Sequence, residues 1–189
     1  MGQKTSLFFI LFFLSMSPLR ANDEQQETTN TQDEFSEIRL GISAHDLNSK
    51  MEQSHERGMS LNGEYIFASP QNAFFQAIFA PHPHIGASLN SSSGTSIAYA
   101  GLTWVIPFQQ VWFIDLAWGV AVQNGNIHSE TKKKKAYGAR VLCHTGGSLG
   151  YVLVTNHTVS VKVDHVSNGG LSRQNPGFTD LGLRYGYRF

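Results

Sequence analysis

The 189-residue chain is poor in several things that most soluble proteins have. It has one cysteine, Cys143, so no disulfide can form within the chain. Lys plus Arg equals Asp plus Glu at 14 each, a balance that gives no electrostatic reason to expect a nucleic-acid partner. Only 15% of residues are charged, whereas Gly (18) and Phe (13) are plentiful, which suits a β-rich chain better than a soluble helical one. Beyond the N-terminus no stretch approaches the ~20 apolar residues of a spanning helix. The one hint of a metal ligand set is His82-Pro83-His84. It lacks an accompanying Cys or carboxylate cluster and reads as a loop, and no metal or cofactor is expected.

Met1 to Ala21 reads as a signal peptide. Lys4 gives positive charge, Leu7 to Leu14 is a short apolar run, and Leu19-Arg20-Ala21 ends on a small residue. An uncleaved anchor is the competing reading. Residues 22–35 form an acidic segment with little to bury, expected to be flexible, and residues 36–189 the folded domain.

Within that domain the pattern alternates at period two. We expect strands around Ile38–Ile42, Leu61–Ala68, Ser96–Phe108, Val111–Val122, Arg140–Val154, Thr158–Val166 and Leu181–Phe189. Phe74–Ala80 together with Ile85–Leu89 suggests one more strand, interrupted by Pro81 and Pro83. Gly146-Gly147 is expected to kink its strand. His45–Arg57 and Gln123–Gly138 read as polar loops. The second carries Lys132–Lys135, a run that is solvated or drawn to anionic lipid phosphates. Cys143 reads as a packing residue.

The C-terminus decides between a sandwich and a membrane barrel. Leu181, Leu183, Tyr185, Tyr187 and Phe189 share one face, and Gly182, Arg184, Gly186 and Arg188 share the other. A sandwich core would not take two arginines. A transmembrane barrel, apolar outside and polar or small inside, would. The expected fold is therefore all-β, an eight-stranded antiparallel transmembrane β-barrel of the outer membrane. Asp115 is then an interior group, expected to pair with Arg184 or Arg188.

One strand carries chemistry. Val159, Val161, Val163, His165 and Ser167 share a parity, so a base and a potential nucleophile continue a β-branched apolar face. A Ser beside a His base is the minimum for nucleophilic acyl transfer. Polar groups on a lipid face are costly unless they lie near an interface or act there.

The run His165-Val166-Ser167-Asn168-Gly169-Gly170, then Asn175-Pro176-Gly177 and a closing Phe189, resembles the PagL-type lipid A 3-O-deacylases. That resemblance implies an outer-membrane barrel enzyme that removes the ester-linked acyl chain at position 3 of lipid A, with its site at the outer leaflet. It implies Ser167 as nucleophile, His165 as general base, Asn175 and the Gly170 N–H as oxyanion donors, and Asn168 as part of the motif, fixing the turn beyond the strand. The carboxylate that orients His165 is less clear. Spacing gives Thr179, whereas Asp180, one residue later and of inward parity, is favoured because a carboxylate stabilises the imidazolium. Asp164 also has inward parity. Expected partners are lipid A as substrate and outer-membrane lipids, and a homodimer is left open. The alternatives are a non-enzymatic surface-binding barrel and a secreted barrel for a lipophilic ligand.

Overall fold

The computed structural model describes residues 35–47, 56, 58–128 and 135–189. Residues 1–21, read above as a signal peptide, the acidic segment up to Glu34, most of the 48–57 loop and Lys132–Lys134 lie outside the described residues. Eight strands close into one barrel, each paired with its sequence neighbours and β1 with β8. They are β1 (Glu37–Ala44), β2 (Met59–Ile66), β3 (His82–Asn90), β4 (Ile97–Phe108), β5 (Trp112–Gln123), β6 (Val141–Val154), β7 (His157–Ser167) and β8 (Phe178–Arg188). All pairings are antiparallel. Closure leaves no sheet edge, which a bilayer could not satisfy.

The alternation places apolar side chains outside. On β5, Trp112, Ile114, Leu116, Trp118, Val120 and Val122 are all exposed, and Leu40, Leu61 and Leu183 continue the belt around β1, β2 and β8. Such a surface belongs in lipid. The interior is charged. Arg39 pairs with Asp115 at 2.7 Å and Glu37 at 2.9 Å, and Arg184 pairs with Glu64 at 2.7 Å and Asp115 at 3.3 Å. Thr158 and Ser148 add hydrogen bonds of 2.6 and 2.8 Å to the carboxylates Glu37 and Asp115. Lys162 pairs with Asp164. Buried charges are tolerated only when matched in this way. Of the two arginines expected to pair with Asp115, Arg184 does so beside the closer Arg39, while Arg188 bonds Glu37 instead.

Three local expectations need correction. Phe74–Ala80 is not a strand. Ala73–Ala77 is a short helix, α1, because Asn72 caps it with Oδ1 accepting the Phe75 N–H at 3.1 Å. The Trp104 indole then holds the end of that segment through the Ile78 carbonyl at 2.8 Å. His82 and His84 lie on β3, not in a loop, and both are buried. Their Nδ1 atoms bond the Phe67 carbonyl at 2.9 Å and the Thr103 hydroxyl at 2.8 Å. The β6 irregularity falls between Val152 and Val154, and pairing runs unbroken through Gly146-Gly147.

The ends of the barrel differ. Ser36 and Phe189 exchange backbone hydrogen bonds of 3.0 and 2.9 Å at one rim, whose connections are 67–81, which holds α1, and the short 109–111 and 155–156. The opposite rim carries the loops 45–58, 91–96, 124–140 and 168–177. β7 runs toward that loop-bearing rim, ending at Ser167.

Candidate active site

β7 keeps the alternation to its end. Val159, Val161, Val163 and His165 point outward, and Ser160, Lys162 and Val166 are buried. Register places His165 between Thr145 on β6 and Thr179 on β8, and Ser167 opposite Cys143. The pair therefore sits on the lipid face at the loop-bearing rim, flanked by small polar side chains. Cys143 lies beside Ser167 and forms no disulfide.

His165 Nδ1 lies 3.0 Å from Thr179 Oγ1. In the tautomer whose Nδ1–H donates to that hydroxyl, Nε2 keeps its lone pair and can accept a proton. Among the described residues no hydrogen bond joins Ser167 to the imidazole; catalytic contacts are often long in unliganded enzymes. Strand β7 sets the two side by side, and Gly177 lies close to both. A Cβ there would lie 3.1 Å from the Val166 carbonyl oxygen, 3.2 Å from His165 Cε1 and 3.4 Å from Ser167 Cβ. Its φ of 58° is in the left-handed region, which glycine occupies without steric penalty. Glycine at 177 thus leaves both side chains room that any larger residue would take.

The turn after β7 is built by Asn168, which is buried. Its N–H donates to Asn175 Oδ1 at 2.9 Å, and its Oδ1 accepts the Gly170 N–H at 2.9 Å, an Asx-type closure. Its Nδ2 donates to the Tyr137 carbonyl at 2.8 Å and to the Gln174 carbonyl. The Gly170 N–H is consequently engaged by Asn168. Asn175, with Oδ1 fixed by the Asn168 amide, presents Nδ2 as its donor end.

Asp180 is not the partner of His165. Its inward parity persists, with no bulge to reverse it, and its pairing with Asp164 across the ladder is regular. Inside the mouth it meets His45, with Nδ1 2.9 Å from Asp180 Oδ1, while His45 Nε2 lies 3.3 Å from Glu56 Oε2. Burial opposes charge on this imidazole, but its hydrogen bonds to the Asp180 and Glu56 carboxylates outweigh it and lift the pKa to about 9. Glu56, for its part, is held below the usual carboxylate range. Burial again opposes, and the His45, Lys135 and Thr95 hydrogen bonds prevail. Asp164, the other acidic candidate, is likewise interior, beside Lys162 and 3.8 Å from His144.

A family model described as lipid A 3-O-deacylase (PagL) matches residues 25–188. The chain belongs to the lipid A 3-O-deacylase family. Among solved structures, a crystal structure of the outer membrane enzyme PagL superposes with a TM-score of 0.59 at 16% identity, covering 80% of this chain and 98% of that one. A de novo designed transmembrane β-barrel superposes with a TM-score of 0.54 at 9% identity, covering 82% and 96%. At such identities the likeness is one of fold. No curated protein matches the chain. In this deacylase-family member, the group beside His165 Nδ1 is a threonine hydroxyl where the family resemblance implies a carboxylate. The role of Gly177 has no signal in local sequence beyond its place in the Asn-Pro-Gly run, because its contacts come from β7.

Proposed function

We propose that this outer-membrane barrel hydrolyses the ester-linked acyl chain at position 3 of lipid A, with Ser167 as nucleophile and His165 as base. The observation that carries the reading is the placement of His165 and Ser167 together on the lipid face, at the rim where the long loops lie. We take the rim with the two tight turns as the periplasmic one, as in barrels of this class, which puts the pair at the outer leaflet. A membrane lipid reaches it by lateral diffusion.

In the proposed reaction, Ser167 Oγ attacks the ester carbonyl as its proton passes to His165 Nε2. The position-3 oxygen then leaves with that proton, and the acyl group remains on Ser167. Water attacks the acyl-enzyme, again giving its proton to His165, and the fatty acid departs while Ser167 recovers its hydrogen. Asn175 Nδ2 is the side-chain donor we assign to the oxyanion. Thr179 fixes the His165 ring. As a neutral hydroxyl it stabilises the imidazolium less than a carboxylate would, so we expect a slower enzyme than a Ser-His-acid triad.

Mass spectrometry of lipid A from Gram-negative cells expressing the protein tests this. Loss of one hydroxyacyl chain, absent with an equally well assembled Ser167→Ala variant, supports the reaction. Unchanged lipid A with the intact barrel, in cells and in detergent, would favour a surface-binding barrel.

A further inference from the structure

We propose that Lys135 is a positioning residue for the Ser167–His165 pair, acting through the backbone of Gly177. This deepens the catalytic reading above and rests on it.

Lys135 ends a four-lysine run, yet it is only 3% exposed. Its Nζ donates to Asp46 Oδ1 at 2.7 Å and to the Gly177 carbonyl at 3.1 Å. Its backbone N–H donates to Glu56 at 2.6 Å. One residue of the 124–140 loop therefore grips both the 45–58 loop and the 168–177 loop. A lysine is rarely buried unless matched, and here the match includes a carbonyl two residues before Thr179.

That carbonyl belongs to the residue packed behind the pair. A single methyl group on Gly177 would reach within 3.2 Å of His165 Cε1 and 3.4 Å of Ser167 Cβ, so a shift of this backbone toward or away from the pair changes the room around base and nucleophile. The same straps hold the other side of the imidazole. The Thr179 carbonyl accepts the Leu47 N–H at 2.8 Å, and the Asp46 N–H donates to Asp180 Oδ1 at 3.1 Å. Asp46 thus links the Lys135 ammonium to the strand that carries Thr179.

Lys135 is not what keeps the barrel closed, since the ladder runs through every strand. Nor is it the sole tie between the two outer loops. Asn168 Nδ2 reaches the Tyr137 carbonyl, and Gln174 Nε2 reaches the His128 carbonyl at 3.0 Å. Removing the ammonium should leave the fold and free Gly177.

The test is lipid A hydrolysis by purified full-length protein in detergent micelles, together with the rate at which a fluorophosphonate labels Ser167. The variants are Lys135→Met, Ser167→Ala and Arg140→Met. Arg140 is a comparison cation whose Nη1, among the described residues, bonds the carbonyls of Gln123 at the end of β5 and of Gly125 in its own loop. Heat-dependent gel mobility reports folding. We expect Lys135→Met to lower kcat and labelling rate by about tenfold or more, as misplacement of reacting groups does. KM should stay within about threefold, because lipid binding is not lost. Arg140→Met should stay near wild type. If Lys135→Met fails to fold for want of a partner to Asp46, the double variant Asp46→Asn/Lys135→Met removes both charges and is read instead. Unchanged kcat in a folded Lys135 variant overturns the proposal, as does an equal fall in Arg140→Met. Full hydrolysis by Ser167→Ala would instead overturn the catalytic reading beneath it.

Discussion

Among the described residues, two of the buried ionic networks inside this barrel are made differently. The mid-barrel network of Arg39, Glu64, Asp115 and Arg184 comes from strand residues only, each aimed inward by the ladder. The mouth network of His45, Asp46, Glu56, Lys135 and Asp180 draws most of its members from loops, with Asp180 the one strand residue. The first fills the space that eight closed strands enclose. The second ties three outer loops to the start of β8, next to the residues that touch His165. The lesson is that similar chemistry serves the fold in one place and the site in the other.

The largest effect should come from breaking the mid-barrel network. Arg184→Met leaves Glu64 and Asp115 with one cation fewer, and breaking a buried pair in this way costs about 3–5 kcal/mol. The urea midpoint of the gel-mobility transition should fall accordingly, with activity lost only in proportion to unfolded protein.

Gly177→Ala should invert that pattern. The new Cβ would meet His165 Cε1 at 3.2 Å on a backbone at φ 58°, so the imidazole must move. We expect kcat to fall by about 10²-fold, while the left-handed alanine lowers stability by only about 1–2 kcal/mol. A kcat close to wild type would show that Gly177 does not position the pair.

Alkaline pH should loosen the mouth alone. The folded pKa of His45, about 9, lies above the ~6.5 of a free imidazole, so its stabilising charge is fully present below ~6.5 and lost as pH rises through 9. Between pH 7 and 9 the loss is on the order of 2 kcal/mol. Asp180 and Glu56 face this ring directly, and Tyr137 nearby is held protonated by burial, its pKa pushed up. Limited proteolysis of the outer loops should therefore accelerate over this range in wild type and not in His45→Gln, with barrel mobility on gels unchanged. A rate independent of pH would remove His45 from this role.

The smallest effects separate Thr179 from Asp180. Thr179→Val removes the hydroxyl at Nδ1 and should lower kcat about tenfold, less than the roughly 10²–10⁴ that a general base contributes in full, because His165 itself remains. Thr179→Glu places a carboxylate there and should raise kcat above wild type. Asp180→Asn should cost no more than about tenfold, whereas loss of a true triad acid costs about 10⁴. A loss of that size in Asp180→Asn would return Asp180 to the triad.

Much of this comparison can be read from the chain and part of it cannot. Alternation alone separates lipid face from interior on β4, β5, β7 and β8, because the period of a strand is two wherever it lies. The same parity brings His165 and Ser167 to the outside and turns Asp180 in. Preferring Asp180 as partner of His165 sets chemical suitability above that parity, and the regular β7–β8 pairing keeps the geometry. Phe74–Ala80 misleads because a short apolar run has no period by which to tell helix from strand, so the cap at Asn72 decides. Lys135 looks solvated beside three other lysines. Its burial comes from Asp46 and Gly177, 89 and 42 residues away, and no local pattern encodes contacts at that separation.

The measurement we would make first is a peptide map of the folded barrel after fluorophosphonate treatment. We expect one adduct, on Ser167, lost in His165→Ala and retained in Asp180→Asn. An unmodified Ser167, or labelling undiminished without His165, would contradict a nucleophile–base pair on the lipid face.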